Sequence, residues 1–207
     1  MAVRAEIFLH FPNWKTTFYL ASMNPKRRSI RLPGYDYASA GWYFVTILCR
    51  RRQALFGEVR EGEMVLNEVG KFVEDCWLQT ESVRKNCVVH DFIIMPNHIH
   101  GIIELTGSNK PEYANLDSTK FVSPSDTIGS IVRGFKIMTI KKIKDLVCKG
   151  ELQFALTTTA LKIIEMEYKI WHRNYHEHTI RNEDSYRKIS SYIRHNPAKW
   201  QEDEYFR

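Results

Sequence analysis

His98 and His100 stand two residues apart in Val88–Leu105 (VVHDFIIMPNHIHGIIEL), two apolar runs separated by Pro96-Asn97. Val, Ile and Phe dominate both runs, which predicts a pair of adjacent strands. Side chains alternate along a strand, so His98, His100, Ile102 and Glu104 share one face while Ile99, Gly101 and Ile103 share the other. A single strand histidine is usually structural. Two imidazoles at i and i+2 can converge on one divalent ion, and without a partner they would be costly to bury.

Strong element signals surround this pair. Trp42–Cys49 (WYFVTILC) predicts a strand, and Arg50, Arg51 and Arg52 place three positive charges at its end. FGEVREGEMVLN predicts a hairpin turning at Glu61-Gly62. Asn67 is placed to cap a helix from Glu68 to about Lys85, striped by Val69, Phe72, Val73, Cys76 and Trp77. Thr106 to Asp126 is polar and predicts a loop, with Ser125 or Asp126 capping a helix over Ile128–Val147. That helix carries Arg133, Lys136 and Lys141 opposite its apolar stripe. Alternation of Ile164, Met166, Tyr168 and Ile170 predicts a further strand. A last helix spans Glu183–His195, stopped by Asn196-Pro197.

This order predicts an α+β domain: a ferredoxin-like antiparallel sheet with helices packed mainly on one face. Residues 36–200 form that domain. Residues 1–35, whose character differs, are expected to be a poorly ordered extension or a mis-assigned start, and 201–207 a C-terminal tail.

Composition narrows the function. A net charge of +6, from 30 Lys+Arg against 24 Asp+Glu, favours a polyanionic partner, nucleic acid first. The 4 cysteines form no CxxC pair, which argues against a zinc ribbon or a disulfide framework. No run approaches the roughly 20 apolar residues of a membrane span, so a cytoplasmic protein without a membrane partner is expected.

MPNHIHG, a basic helix containing GFK, and then WHRNYHEHTIRNE and YIRHNPAKW resemble the REP-associated tyrosine transposases of the HUH-type single-strand nuclease superfamily. The similarity runs from about Arg28 to Trp200. It implies a ferredoxin-like fold, and Mg²⁺ or Mn²⁺ held by His98 and His100. It also implies a tyrosine that attacks single-stranded or hairpin DNA to give a 5′-phosphotyrosine and a free 3′-OH. Imidazoles alone are not the ligand set Mg²⁺ selects, so Glu104, Glu177 or water is expected to complete the site. The usual helix tyrosine is missing, with Thr139 near its place and no tyrosine between Tyr113 and Tyr168. Tyr175 in WHRNYHEH is then the candidate nucleophile, whereas Tyr192 beside Ile189 and Ile193 reads as core. Arg173 and Arg181, with Arg50, Arg51, Arg52, Arg133, Lys136 and Lys141, suit phosphate contacts. Three readings follow: a metal-dependent endonuclease and transesterase, monomeric or homodimeric; a catalytically impaired transposase relative that binds nucleic acid; and a metal-dependent hydrolase without a covalent step.

Overall fold

A computed structural model describes residues 38–107, 126–149 and 157–206. The extension read at 1–35 and most of the loop read between Thr106 and Asp126 lie outside these residues. Four strands form one antiparallel sheet: β1 (Gly41–Leu48), β4 (Cys87–Met95), β5 (His98–Leu105) and β6 (His176–Ile180), in the spatial order β4-β5-β1-β6. With helix α1 (Glu68–Val83) between β1 and β4, and α2 (Ile128–Cys148) between β5 and β6, this is the ferredoxin-like βαββαβ order. The hairpin β2 (Gly57–Arg60) and β3 (Glu63–Leu66) is inserted after β1. It turns where expected: Glu61 and Gly62 both take positive φ, 52° and 81°.

Helix starts follow side-chain chemistry. Asn67 accepts from Gly70 N–H at the head of α1 as anticipated, while α2 is capped by Thr127 rather than Ser125 or Asp126. No strand forms over Ile164–Ile170: a helix, α3 (Thr158–Glu165), ends there, and 166–170 turn and run on irregularly. Thr157 caps it by accepting from Ala160 N–H, and Ala160 and Ile163 are buried at helical spacing. Those two signals outweigh the alternation that follows. The edge strand forms later, at β6.

The two faces of the sheet are covered differently. On one, α1 and α2 pack together, and Trp77 of α1 lies across Gly101. A Cβ at Gly101 would sit 2.5 Å from the Trp77 ring, so the missing side chain is what lets the indole reach β5. On the other, Ile102 packs with Ile180 and with Ile193 of α4 (Glu183–His195), flanked by Trp42, Phe44, Ile93, Tyr186 and Ile189. Among the described residues no helix is long and apolar enough to cross a membrane.

A bulge between Val89 and Phe92 fixes where α4 lies. It frees His90 and Asp91 from the regular ladder. Asp91 accepts from Ser190 Oγ and from Arg194 at 3.0 Å to each carboxylate oxygen, and Tyr186 OH meets His90 Nδ1 at 3.2 Å. Two turns of α4 are thereby pinned to β4, which sets the flank carrying Tyr192 beside the histidine strand.

Candidate active site

His98 and His100 are 0% and 2% exposed, with ring centroids 4.4 Å apart. Asp203 joins them. One ligand atom from each of the three lies within 4.8 Å of the others, and among the described residues no other group of three His, Cys, Asp or Glu side chains is so disposed. The short 3₁₀ helix Pro197–Glu202 after α4 carries the chain back to this point. Asp203 is held there by Asn196 Nδ2 at 3.1 Å and by Tyr205 N–H at 2.7 Å. The segment read as a tail therefore belongs to the site: Tyr205 is 8% exposed, and its ring centroid is 4.9 Å from that of His98.

The hydrogen bonds set which nitrogen faces inward. Asn97 Nδ2 donates to the carbonyls of Tyr205 at 2.8 Å and Arg52 at 3.3 Å, which turns Oδ1 toward His98 Nδ1, 2.8 Å away. A carbonyl oxygen only accepts, so His98 carries its proton on Nδ1. Its Nε2 lone pair points into the cluster, buried and without a hydrogen-bond partner. His100 Nδ1 lies 2.9 Å from Thr46 Oγ1, its Nε2 lies 3.2 Å from Tyr192 OH, and Phe44 stacks on the ring at 5.3 Å. Two imidazole nitrogens and one carboxylate oxygen thus converge, the donor set of a divalent cation site. Nitrogen NMR of the metal-free protein at pH 7 is expected to show the Nδ1–H tautomer at His98. Asn97→Ala should lose that signature and bind Mn²⁺ about 10–100-fold more weakly.

Burial pushes the His98 pKa down to about 3; burial, then repulsion from His98, does the same for His100 against the opposing pull of Asp203. Both rings are neutral at pH 7, as metal ligands must be. For the metal-free chain the sign follows directly. The unfolded chain takes up protons below about pH 6.5 and the folded chain does not, so stability is full above that value and falls toward pH 3. Each histidine contributes a slope of about 1.4 kcal/mol per pH unit. Urea midpoints between pH 7 and pH 5 should show the fall, and His98→Phe should remove roughly half of it.

Not every residue singled out from sequence reaches the cluster. Glu104 shares the predicted face but lies at the far end of β5, where His90 Nε2 holds it at 2.8 Å. Glu177 pairs with Val45, on the opposite face from His100, and accepts from Tyr175 OH at 2.6 Å. Neither joins the two histidines; Asp203 does. Tyr175 is placed with Glu177 and with Lys136 of α2, whose Nζ lies 5.8 Å from its ring centroid, across the sheet from His100. Tyr192, read as core, is instead 44% exposed beside His100. Ile189 and Ile193 take the buried face of α4, and Tyr192 sits on its flank.

The basic residues also divide. Lys136 Nζ donates to the carbonyls of His172 and Asn174 at 2.9 and 3.2 Å, and burial lowers its pKa to about 8. It fastens α2 to the segment before β6 rather than offering its charge to solvent. Arg133, Lys141, Arg173 and Arg181 are exposed. Arg50, Arg51 and Arg52 form a short turn after β1, from which Arg52 donates to Glu204 O at 3.0 Å. Thr139, near the place of the absent helix tyrosine, accepts from Trp171 Nε1 at 2.8 Å in the core. As site residues Asn97, Asn196 and Asp203 are not legible in the sequence, where the two asparagines read only as a turn and a helix stop. The i, i+4 spacing of Tyr192 and Asn196 was the available signal for one of them; Asp203 had none.

No family model matches the chain. A solved structure of a REP-associated tyrosine transposase bound to a REP hairpin shares the fold, with a TM-score of 0.50 and 21% identity, covering 83% of this chain and 74% of that one. An uncharacterized protein of Haemophilus influenzae is 38% identical over 196 residues, 92% of this chain and 98% of the relative. At that identity and coverage the chain belongs to the same family as the Haemophilus influenzae protein, built on the ferredoxin-like fold of a REP-associated tyrosine transposase.

Proposed function

We propose that this protein is a cytoplasmic, metal-dependent single-stranded DNA endonuclease and transesterase of the HUH tyrosine type, acting on hairpin-forming repeats. The observation that carries the reading is the 3.2 Å contact between Tyr192 OH and His100 Nε2, inside the His98–His100–Asp203 cluster. In this reading the three side chains hold Mg²⁺ or Mn²⁺, the carboxylate supplying the hard oxygen that imidazoles lack. A divalent ion bound there supplies charge neutralisation for the non-bridging oxygens of a phosphodiester.

The chain's own residues do the rest. Tyr192 stands at the edge of α4, exposed enough to meet an incoming strand and held by its helix against the cluster. Burial, then the carboxylates of Asp203 and Glu204, raises its pKa. The hydroxyl holds its proton at neutral pH, and a cation held by His98, His100 and Asp203 would favour its loss. Attack by the Tyr192 oxygen on phosphorus forms the tyrosyl–phosphate bond and breaks the bond to the 3′-oxygen. The proton lost by tyrosine ends on that leaving oxygen, giving a 5′-phosphotyrosine and a free 3′-OH. Because the phenolic oxygen is a good leaving group, a second 3′-OH can reverse the step and transfer the strand.

Purified protein incubated with Mn²⁺ and a labelled single-stranded hairpin tests this. A denaturation-resistant protein–DNA adduct that disappears with a chelator is the expected result. Salt-sensitive binding without adduct or cleavage would instead make this a transposase-derived binding protein, and metal-dependent cleavage without adduct a hydrolase.

A further inference from the structure

Beside the Arg50–Arg52 turn the surface opens into a cleft of about 540 Å³. Two chain reversals wall it. One is the arginine turn, pinned by Arg50 N–H donating to Ile170 O at 2.7 Å. The other closes α3: Tyr168 N–H returns to Ile163 O and Glu167 N–H to Ile164 O, the paired bonds of a Schellman cap.

Each reversal holds two consecutive non-glycine residues in the left-handed region: Arg51 and Arg52 at φ 57° and 53°, Glu167 and Tyr168 at 53° and 57°. A residue with a side chain is strained there by about 1–2 kcal/mol, and glycine is the usual occupant of such a cap. The side chains kept despite that strain include cleft lining. Arg50, Arg51, Lys162 and Lys169 stand against Glu165 and Glu167, four cations to two carboxylates, a net +2. Lys169, with Arg50 beyond it, holds the Glu167 carboxyl below the usual range.

We propose that this cleft receives the single-stranded nucleic-acid segment flanking the cleavage point; the inference rests on the nuclease reading above. The arginine turn joins the two places. Its first two residues line the cleft, while Arg52 reaches Glu204 O and lies 5.5 Å from the Tyr205 ring centroid, at the edge of the histidine cluster. The volume is that of a pocket for one small-molecule-sized group, a nucleotide or so, and is too confined for a duplex. The four cations match backbone phosphate. Glu165 is an acceptor suited to the exocyclic amine of cytosine or adenine, while Glu167 is paired with Lys169.

Fluorescence anisotropy of the full chain with two DNA probes across a salt series decides it: a blunt hairpin, and the same hairpin with single-stranded extensions at both ends. The extensions should tighten wild-type binding. Lys162→Gln/Lys169→Gln should weaken the extended probe about 10-fold and reduce its salt slope by about 1.4, at roughly 0.7 per phosphate contact on a single strand, leaving the blunt probe unchanged. No gain from the extensions in wild type, or equal loss of both probes in the variant, overturns the assignment. A wild-type chain that binds neither probe overturns the nuclease reading itself, and the cleft assignment falls with it.

Discussion

Tyr192→Phe is expected to abolish the covalent adduct with hairpin DNA in Mn²⁺, a loss of roughly 10³-fold or more, as when a nucleophile is removed elsewhere. DNA binding and the thermal midpoint should stay close to wild type. The ring of Tyr192 is 44% exposed, and its hydroxyl meets His100 at 3.2 Å, so the substitution deletes one oxygen and keeps the edge contacts with Phe44 and His100. Tyr175→Phe is the companion measurement. Its hydroxyl is committed to Glu177 across the sheet, and adduct yield should remain within a few-fold of wild type. An adduct that persists in Tyr192→Phe and vanishes in Tyr175→Phe would return the nucleophile to the segment before β6.

The second large effect is on stability. Trp77→Ala should cost about 3–5 kcal/mol, read as a lowered urea midpoint and a fall in Tm. Trp77 is 0% exposed and meets Phe135 edge-on at 5.1 Å, Phe92 at 6.2 Å and the bare backbone of Gly101. It joins α1, α2 and β5, so its loss loosens the strand that carries both histidines. Gly101→Ala probes the same contact from the other side. Its new Cβ would lie 2.5 Å from a ring with little room to move, an overpacking of about 1–3 kcal/mol. If the ring is the obstacle, Trp77→Phe should relieve part of that cost. Simple addition of the two losses would place the obstacle elsewhere.

Much of the positioning scaffold is local, and local signals were enough to find it. Asn67 ahead of an apolar stripe, Glu61-Gly62 between alternating runs, and Asn196-Pro197 after Tyr186, Ile189 and Ile193 each act within one or two turns of chain, so their chemistry is readable without a partner. The paired histidines belong with them: a period of two on one strand puts both rings on one face, wherever that strand goes. Motifs in order carried the reading further, to the βαββαβ arrangement.

Decisions that joined distant segments were of another kind. Asp203 lies 103 positions beyond His100 in a stretch with no periodicity, and it becomes a ligand candidate only because α4 and the 3₁₀ helix return the chain to β5. Motif and spacing ranked Tyr175 above Tyr192, because Tyr175 sits in WHRNYHEH and Tyr192 stands beside the apolar Ile189 and Ile193. The fold decides which of them stands beside the rings: the β4 bulge aims Asp91 and His90 at α4, whose flank bearing Tyr192 lies beside His100. Glu104 stands apart from the cluster for a reason of the same sort, since sharing a face with His100 does not bring it near. Four residues along a strand is roughly 13 Å, and only the fold sets which carboxylate stands within 4.8 Å of the ring nitrogens.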